Sequence, residues 1–442
     1  MHDLTPELRE LGEAIMRVAL DRLAADPPDL GATLPPSEVA ARAGATVTPE
    51  GLGAEEALAR FRDVLLPLTT AIDHPRYLAF IPSAPTPASA FVELLLSASS
   101  VYAGSWLEGA GAVHAENQAL RWLADLAGMP AAAGGCFVQG GTNGNISALH
   151  AARERARRRG EAATRVACSE EVHSSVRSAL KIMDAEVLPV PADADGRLRG
   201  EAVCDALRDG VFAVVATAGT TNLGLIDDLA GIAAVTRERD VWLHVDGAYG
   251  AAGLCAPSLR PRFAGIEQAD SLIVDPHKWL FAPFDSCALL YREPLDGAAA
   301  HRQSASYLDA LYREEAWNPS DYGLHLTRRA RGVPFWFSLA VHGTDAYAAA
   351  VERTLEVTRQ GAEAIRRRPE LELVAEPELS VLVFRRRGWD DEDYHRWSGR
   401  LKADGTAFVL PTTVRGETVA RLALVNPRTT VEDLELVLDS TA

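Results

Sequence analysis

A lysine and an aspartate each follow a short apolar segment of this 442-residue sequence, and both side chains could do chemistry. Residues 272–274 are typical of a buried strand, which must end by Pro276 because proline cannot donate to a sheet ladder. Lys278 comes directly after this break. Upstream, residues 242–245 read as a second strand that leads into Asp246, and the chain between the acid and the lysine is long enough for one crossover connection. The sequence therefore predicts an acid and a lysine at two neighbouring strand ends.

Lys278 stands between His277 and Trp279, so we expect it to be partly desolvated. Desolvation disfavours an ammonium ion, which predicts a lowered lysine pKa and a neutral amine that can act as a nucleophile. Such lysines form Schiff bases with aldehydes. Pyridoxal 5′-phosphate (PLP) needs a lysine for its aldehyde and an acid for its ring nitrogen, so Asp246 and Lys278 together predict a PLP site. Taken singly, a surface lysine and a helix-capping aspartate are the alternatives.

Residues 134–145 form a glycine-rich segment between a predicted strand and a helix predicted over residues 146–159. The free N–H groups of such a turn and the positive end of the helix attract a phosphate. The segment has neither the P-loop signature nor the dinucleotide-binding signature. It is therefore predicted to hold a phosphate group, and a phosphate or nucleotide binder that works without PLP is a further alternative.

The motifs around the acid and the lysine are His244-Val245-Asp246 and Pro276-His277-Lys278-Trp279. Together they resemble the PLP-dependent group II amino-acid decarboxylases, the family of aromatic-L-amino-acid, histidine and glutamate decarboxylases. The resemblance, which runs from about residue 74 to the C-terminus, implies the α/β fold of fold-type I PLP enzymes. The implied parts are an N-terminal helical arm (1–72), a large PLP-binding domain with a mostly parallel sheet (73–335) and a small C-terminal α+β domain (336–442). It also implies a homodimer with active sites at the interface and the arm around the partner.

The resemblance further implies roles for individual residues. The catalytic residues would be Lys278, Asp246, His173 and Tyr307. PLP would be bound by Lys278, Asp246, His173, Gly141, Thr142, Asn143, Thr221, Ala248, Asp275 and His277. The amino-acid substrate would be bound by Phe80, Ile81, Ser83, Tyr102 and Trp106. A lone histidine is more often structural, but His173 matches, in a His-x-Ser pattern, the family histidine that stacks on the cofactor ring.

Residues 301–317 are polar and poorly periodic, which predicts a mobile loop. The family carries in such a loop a tyrosine that protonates the substrate carbon, and Tyr307 is the match, with Tyr312 and Tyr322 as the other candidates. Family members that form aldehydes tend to carry phenylalanine there. A tyrosine therefore favours plain decarboxylation, and closure of the loop would exclude water.

The predicted function is PLP-dependent decarboxylation of an L-amino acid to the amine and carbon dioxide, with an aromatic substrate favoured. Gly104 departs from this, because aromatic-specific members often carry a large residue at that position. The alternatives on the same scaffold are decarboxylation of an acidic or aliphatic amino acid and carbon–carbon lysis. An oxo-acid or aldehyde product would point to another reaction of the cofactor.

The composition of the chain limits the classes of binding partner and the cellular compartment that we expect. A net charge of −17 and an isoelectric point near 5.2 argue against nucleic-acid and anionic-membrane partners. There is no run of 18 apolar residues, so no membrane span is expected. The five cysteines are scattered without a C-x-x-C pair, which predicts no disulfide framework, no metal site and a reducing, cytoplasmic location. The N-terminus lacks the pattern of a secretory signal.

The remaining periodicity predicts the elements that position these residues. Helices are predicted after a Thr5 cap, over residues 37–43, 54–68, 114–129 and 391–402, and over residues 333–352 or longer. Strands are predicted over residues 165–168, 211–216, 287–291, 379–384 and 419–425.

Overall fold

The computed structural model describes residues 2–312 and 316–442. The α-helices of these ranges are α1 (Pro6–Ala24), α2 (Pro36–Ala43), α3 (Ala54–Arg60), α4 (Pro87–Ala98), α5 (Trp106–Leu126), α6 (Gly141–Arg158), α7 (Ser174–Ile182), α8 (Gly200–Ala206), α9 (Leu229–Arg239), α10 (Pro294–His301), α11 (Val333–His342), α12 (Thr344–Arg366), α13 (Asp391–Ala403) and α14 (Val431–Asp439). The strands are β1 (Gly134–Val138), β2 (Arg165–Ser169), β3 (Glu186–Val190), β4 (Val211–Thr217), β5 (Trp242–Asp246), β6 (Ser271–Val274), β7 (Cys287–Tyr291), β8 (Leu371–Leu373), β9 (Val381–Arg386), β10 (Leu410–Val414) and β11 (Glu417–Ala423).

The large sheet has seven strands in the order β1-β7-β6-β5-β4-β2-β3. All neighbouring pairs are parallel except those of β7, which runs antiparallel to both β1 and β6. Strands β4, β5, β6 and β7 are buried along their whole length, as expected for a sheet covered by helices on both faces. The carboxyl ends of the parallel strands meet at one edge, which is where α/β sheets bind ligands.

The small sheet has the order β10-β11-β9-β8 and is antiparallel throughout. Together with helices α12, α13 and α14, this sheet forms one buried apolar cluster, which includes Phe384, Trp397 and Leu434. This part of the chain matches the predicted α+β small domain. The boundaries of β9 and β11 are shifted along the sequence by about two residues from the predicted strands, which is within the usual error of boundary prediction.

One long helix predicted from residue 333 is instead two helices. Helix α11 ends at His342, and α12 begins at Thr344. The residue between them, Gly343, has a φ of +78°, which an α-helix cannot contain and which glycine adopts at little cost. Because the apolar pattern continues across the break, periodicity alone did not show it.

Helix α6 begins at Gly141, five residues before the predicted start. Thr142 and Asn143 are therefore in the first helical turn. A Cβ at Gly144 would lie 2.8 Å from Cγ2 of Ile273 on β6, so this glycine lets the helix pack closely on the sheet. The propensity of glycine argued for a turn, but close packing on β6 favours the helix here.

The N-terminal helices α1, α2 and α3 contain no buried residue. Several large apolar side chains stay exposed there and on α4, among them Ile15, Leu20, Leu94 and Leu95. These faces are consistent with the predicted arm, which would bury them against another subunit. Among the described residues, no helix has both the length and the apolar character required to cross a bilayer.

The predicted loop over residues 301–317 contains a 3₁₀-helix, Ser306–Tyr312. Residues 313–315 and the side chain of Tyr307 lie outside the described part of the chain. Where the Tyr307 hydroxyl points therefore stays a prediction.

Candidate active site

A cavity of about 630 Å³ opens at the carboxyl edge of the large sheet. Lys278 follows β6, Asp246 ends β5, Thr221 follows β4 and His173 follows β2. The predicted site residues that line the cavity are Phe80, Ile81, Gly141, Thr142, Asn143, His173, Thr221, Asp246, Ala248, Asp275, His277 and Lys278. Residues that are far apart in the sequence thus meet in one place, because each parallel strand delivers its loop to the same edge.

Lys278 forms an ion pair with Asp275, with 2.8 Å between Nζ and Oδ2. The Asp275 side chain is 1% exposed and that of Lys278 is 24% exposed. Burial lowers the pKa of Lys278, but the carboxylates of Asp275 and Asp246 raise it by more, so the lysine pKa lies above its ordinary value. The prediction of a lowered pKa was wrong, because the sequence did not show that Asp275 would face the amine. The same ion pair outweighs burial at Asp275 and lowers the pKa of its carboxyl.

Asp246 is 6% exposed and accepts two hydrogen bonds. The backbone N–H of Ala248 donates to Oδ1 at 3.1 Å, and the side-chain amide of Asn145 donates to Oδ2 at 2.9 Å. This carboxylate at the inner wall of the cavity can hold a cationic N–H group, such as a protonated pyridine nitrogen.

The first turn of α6 forms the anion-binding side of the cavity. Within residues 2–312 and 316–442, the backbone N–H groups of Gly141, Thr142 and Asn143 have no hydrogen-bond acceptor. A Cβ at Gly141 would lie 3.1 Å from Oδ2 of Asp275 and 3.2 Å from Cβ of Ala248, so only glycine leaves this side open without a shift of its neighbours. Free N–H groups at a helix start, a lysine and a carboxylate are the set of groups that PLP requires, so the residues present fit this cofactor.

His173 caps the start of α7, and its ring lines the cavity. His277 also lines the cavity, and its Nδ1 is 2.6 Å from the backbone oxygen of Ser286 and its ring is 5.0 Å from that of Phe284. Burial lowers the pKa of His277. Both imidazoles therefore line the same cavity as Lys278 and Asp246.

Three predicted substrate residues do not line this cavity in the single chain. Ser83 is buried, donates to the backbone oxygen of Ala282 at 3.0 Å and borders a different cavity of about 480 Å³ beside the N-terminal helices. Tyr102 donates to the backbone oxygen of Leu326 at 2.9 Å, and Trp106 is 37% exposed. Their proposed contact with substrate depends on a partner subunit and stays a prediction.

Gly104 has a local explanation. A Cβ at this position would lie 2.0 Å from the Tyr102 hydroxyl oxygen and 2.9 Å from the backbone oxygen of Leu326. A large residue would therefore displace Tyr102 from its hydrogen bond. The glycine follows from the packing of Tyr102 and does not by itself argue against an aromatic substrate.

Sequence reasoning missed two buried residues beside the cavity. Asn145 donates to Asp246 as described. Arg421, on β11 of the small sheet, donates to the backbone oxygens of Thr221 at 2.9 Å and Phe80 at 2.7 Å, and so ties together two loops that line the cavity. Burial lowers the pKa of Arg421 to about 10. No local pattern could reveal either role, because the partners lie 101, 200 and 341 positions away.

Comparison with known proteins identifies relatives along most of the chain. An aromatic-L-amino-acid decarboxylase of Bacillus atrophaeus is 30% identical over 383 residues, which cover 83% of this chain and 80% of that protein. An L-2,4-diaminobutyrate decarboxylase of Rhizobium meliloti (strain 1021) is 34% identical over 407 residues, which cover 88% of this chain and 82% of that protein. The structure of Oryza sativa TDC with PLP and tryptamine has a TM-score of 0.93 at 22% identity, and the match covers 100% of this chain and 99% of that one.

The predicted fold class is confirmed by this structural likeness, and the predicted cofactor and reaction class are confirmed by the family. The model of the pyridoxal-dependent decarboxylase conserved domain matches residues 37–387. PLP is therefore the cofactor, and the enzyme is a carboxy-lyase that acts on an L-amino acid. The chain belongs to the family of pyridoxal-dependent decarboxylases.

Proposed function

We propose that Lys278, Asp246, His173 and Tyr307 carry out the decarboxylation in this cavity. The observation that carries the proposal is the placement of Lys278 and Asp246 at the ends of adjacent strands, where both line one cavity beside the free N–H groups of α6. A surface lysine or a simple helix cap would not bring these three groups together.

Bound PLP supplies an electron sink for the electron pair that is released when the substrate carboxylate leaves as carbon dioxide. Nζ of Lys278 holds the cofactor aldehyde before and after turnover. Asp246 keeps a proton on the ring nitrogen, because an opposite charge favours the protonated form. The first-turn N–H groups of Gly141, Thr142 and Asn143 would position the cofactor, together with four other residues that line the cavity, Thr221, Ala248, Asp275 and His277.

His173 orients the reacting groups on the open side of the cavity. Its ring, which lines the cavity, would contact the bound cofactor, and its free nitrogen would donate toward the substrate carboxylate. The hydroxyl of Tyr307 then delivers a proton to the substrate α-carbon, so that the amine is the product. A carbon–carbon lyase reaction on the same scaffold is the alternative for this step.

For the substrate we propose two classes, each supported by an observation. Phe80 and Phe284, 59% and 50% exposed, line the cavity and offer apolar contact to an aromatic amino acid. The carboxylates of Glu171 and Asp285 also line the cavity, and they would attract the second ammonium group of a diaminobutyrate-like amino acid. Ser83, Tyr102 and Trp106 complete the substrate site from the partner subunit in either case.

The proposal includes a homodimer in which the helical arm (1–72) packs around the partner. It also includes a boundary between the large domain (73–335) and the small domain (336–442). It is supported by the exposed apolar faces of α1 and α4 and by the position of Ser83, Tyr102 and Trp106 outside the chain's own cavity. A cytoplasmic location is proposed because all five cysteines are free thiols, as expected in a reducing compartment.

The experiment that tests the function measures carbon dioxide release by PLP-loaded protein given separate pools of aromatic, dibasic, acidic and aliphatic L-amino acids. Release with formation of the matching amine supports decarboxylation and names the substrate class. An aldehyde or oxo-acid product without release would overturn the proposal in favour of another PLP reaction. A Lys278→Ala variant, run in parallel, reports any release that does not depend on the site.

A further inference from the structure

Asn145 connects two of the residues proposed to act in the reaction. Its side chain is 1% exposed, and its Nδ2 donates to Oδ2 of Asp246 at 2.9 Å and to Oγ of Ser175 at 2.8 Å. Its Oδ1 lies 2.7 Å from Nε2 of His244. Helix α6, strand β5 and helix α7 therefore meet at one buried amide group at the lining of the cavity.

Trp242 lies at one end of this series of hydrogen bonds. An indole N–H can only donate, so Oγ of Ser271 accepts from Trp242 at 2.8 Å. The Ser271 O–H is then free to donate to Nδ1 of His244, 2.8 Å away. Burial lowers the pKa of His244 to about 4, so the ring is neutral and its one proton lies on Nε2, from which it donates to Asn145.

The direction is fixed from the other end by Asp246 and by the backbone of Ser175. A carboxylate only accepts, so the NH₂ group of Asn145 must face Asp246. Ser175 accepts from the same NH₂ group and can donate its own O–H to Nδ1 of His173, 2.7 Å away. The backbone N–H of Ser175 also donates to this Nδ1 at 3.2 Å. Nδ1 of His173 therefore accepts, and the ring carries its proton on Nε2, toward the cavity.

We propose that Asn145 is a positioning residue that sets the hydrogen-bond direction on both sides of the cofactor site. On one side it donates to Oδ2 of Asp246 and so orients the carboxylate proposed as the partner of the ring nitrogen. On the other side it donates to Oγ of Ser175 and so leaves the Ser175 O–H to reinforce the acceptor state of Nδ1 of His173, which the Ser175 backbone N–H also favours. His244 holds the amide in this orientation, because a flipped amide would place its oxygen against the Asp246 carboxylate. The inference rests on the roles proposed above for Asp246 and His173.

The first test replaces the amide by a carboxylate of the same shape, Asn145→Asp. Two carboxylates in contact share one proton, and whenever Asp246 carries it, Asp246 no longer holds the proton of the ring nitrogen. A neutral ring nitrogen no longer opposes the nearby positive Schiff-base nitrogen, so we expect the absorbance titration of lysine-bound PLP to move upward by about one pH unit. We also expect the PLP dissociation constant to rise by about tenfold or more.

The matched control is Asn426→Asp. Asn426 is also buried, at 3% exposure, and donates to the backbone oxygen of Asp73 away from the cavity. Lys278, Asp275, Glu171 and Asp285, the other charged side chains that line the cavity, are unchanged in both variants. An Asn145→Asp titration and PLP affinity equal to those of Asn426→Asp would overturn the proposal.

The second test acts on His244, in case Asn145→Asp protein does not fold. Glutamine can place an N–H near the position of Nε2, whereas leucine cannot donate. We expect His244→Gln to keep the wild-type titration and His244→Leu to shift it upward. Equal titrations in the two variants would contradict the proposal. Both tests need PLP and no substrate, so they are independent of whether the substrate or the reaction proposed above is correct.

Discussion

The Nζ of Lys278 lies 2.8 Å from Oδ2 of Asp275, inside the cavity that holds the cofactor site. Both groups are charged in this arrangement, since the ion pair raises the lysine pKa and lowers that of the carboxyl. Capture of an aldehyde requires the neutral amine. The pair therefore fixes the position of the lysine and at the same time restrains its reactivity toward free PLP.

Replacing Asp275 by asparagine removes this restraint. We expect the Lys278 pKa to fall in Asp275→Asn, because the largest remaining influence is burial, which disfavours the ammonium ion. The rate of PLP capture can be followed by the absorbance of lysine-bound cofactor between about pH 7 and 10. In the variant this rate should reach its plateau at a pH at least about one unit lower than in the wild type. Asp285→Asn, which removes a cavity carboxylate that is paired with Arg331, is the control. An unchanged profile would mean that Asp275 does not govern the amine.

Replacing Lys278 itself separates chemistry from stability. Lys278→Ala and Lys278→Arg should both lose the absorbance of lysine-bound PLP, because neither side chain can form the bond to the aldehyde. Only Lys278→Ala leaves the buried Asp275 carboxylate without a cation, so its free energy of unfolding in urea should fall by about 3 kcal/mol. The arginine variant should keep most of that stability. A normal cofactor band in either variant would exclude Lys278 as the PLP-binding residue.

Tyr307→Phe tests the proposed proton donor. General acid groups contribute about 10²-fold or more to rate, so we expect amine formation to fall by at least this factor and aldehyde to appear. The control is Tyr312→Phe in the same 3₁₀-helix, whose hydroxyl donates to Oδ1 of Asp321 at 2.8 Å. Full amine yield without aldehyde in Tyr307→Phe, measured by product analysis, would assign the proton transfer to another group.

Acid should destabilise the enzyme through its buried histidines. Burial lowers the pKa values of His74, His244 and His301 to about 4, below the ordinary value of 6.5. The unfolded chain therefore binds more protons between about pH 6.5 and 4, and stability falls as the pH drops through this range, by up to about 1.4 kcal/mol per unit for each histidine.

The variant His74→Asn isolates one of these protons. Nδ1 of His74 accepts from the backbone N–H of Arg76 at 2.9 Å, and an asparagine oxygen can take over this bond without titrating. Urea unfolding at a series of pH values gives the slope of the unfolding free energy against pH. We expect this slope to be smaller in the variant by the contribution of one proton. A slope equal to that of the wild type would show that His74 does not titrate differently in the folded chain.

Leu95→Glu tests the homodimer. Leu95 is 63% exposed on α4, and a carboxylate in an apolar subunit interface would be strongly unfavourable. We expect this variant to be monomeric in light scattering and to bind PLP more weakly. Leu436→Glu on α14, where the leucine is 47% exposed, should remain dimeric. A dimeric Leu95→Glu protein would place the interface elsewhere.

The sequence by itself determined the elements whose signals are local. Strand β7 lies at Cys287–Tyr291, as predicted from its uninterrupted apolar run, and helix α13 begins at the predicted Asp391, where an acidic cap precedes an amphipathic pattern. The pair of Asp246 and Lys278 was also predicted from the sequence, because each follows an apolar strand and parallel strands deliver their ends to one edge.

The tertiary structure alone decided which groups face these residues. The Asp275 carboxylate turns toward Lys278 and reverses the expected shift of the lysine pKa. Asn145 reaches Asp246 across 101 positions, and Arg421 reaches Phe80 across 341. Side-chain direction and long-range approach depend on the packing of the whole sheet and its helices. A periodic pattern reports which face of a segment is buried, and it contains no information on which distant side chain will meet that face.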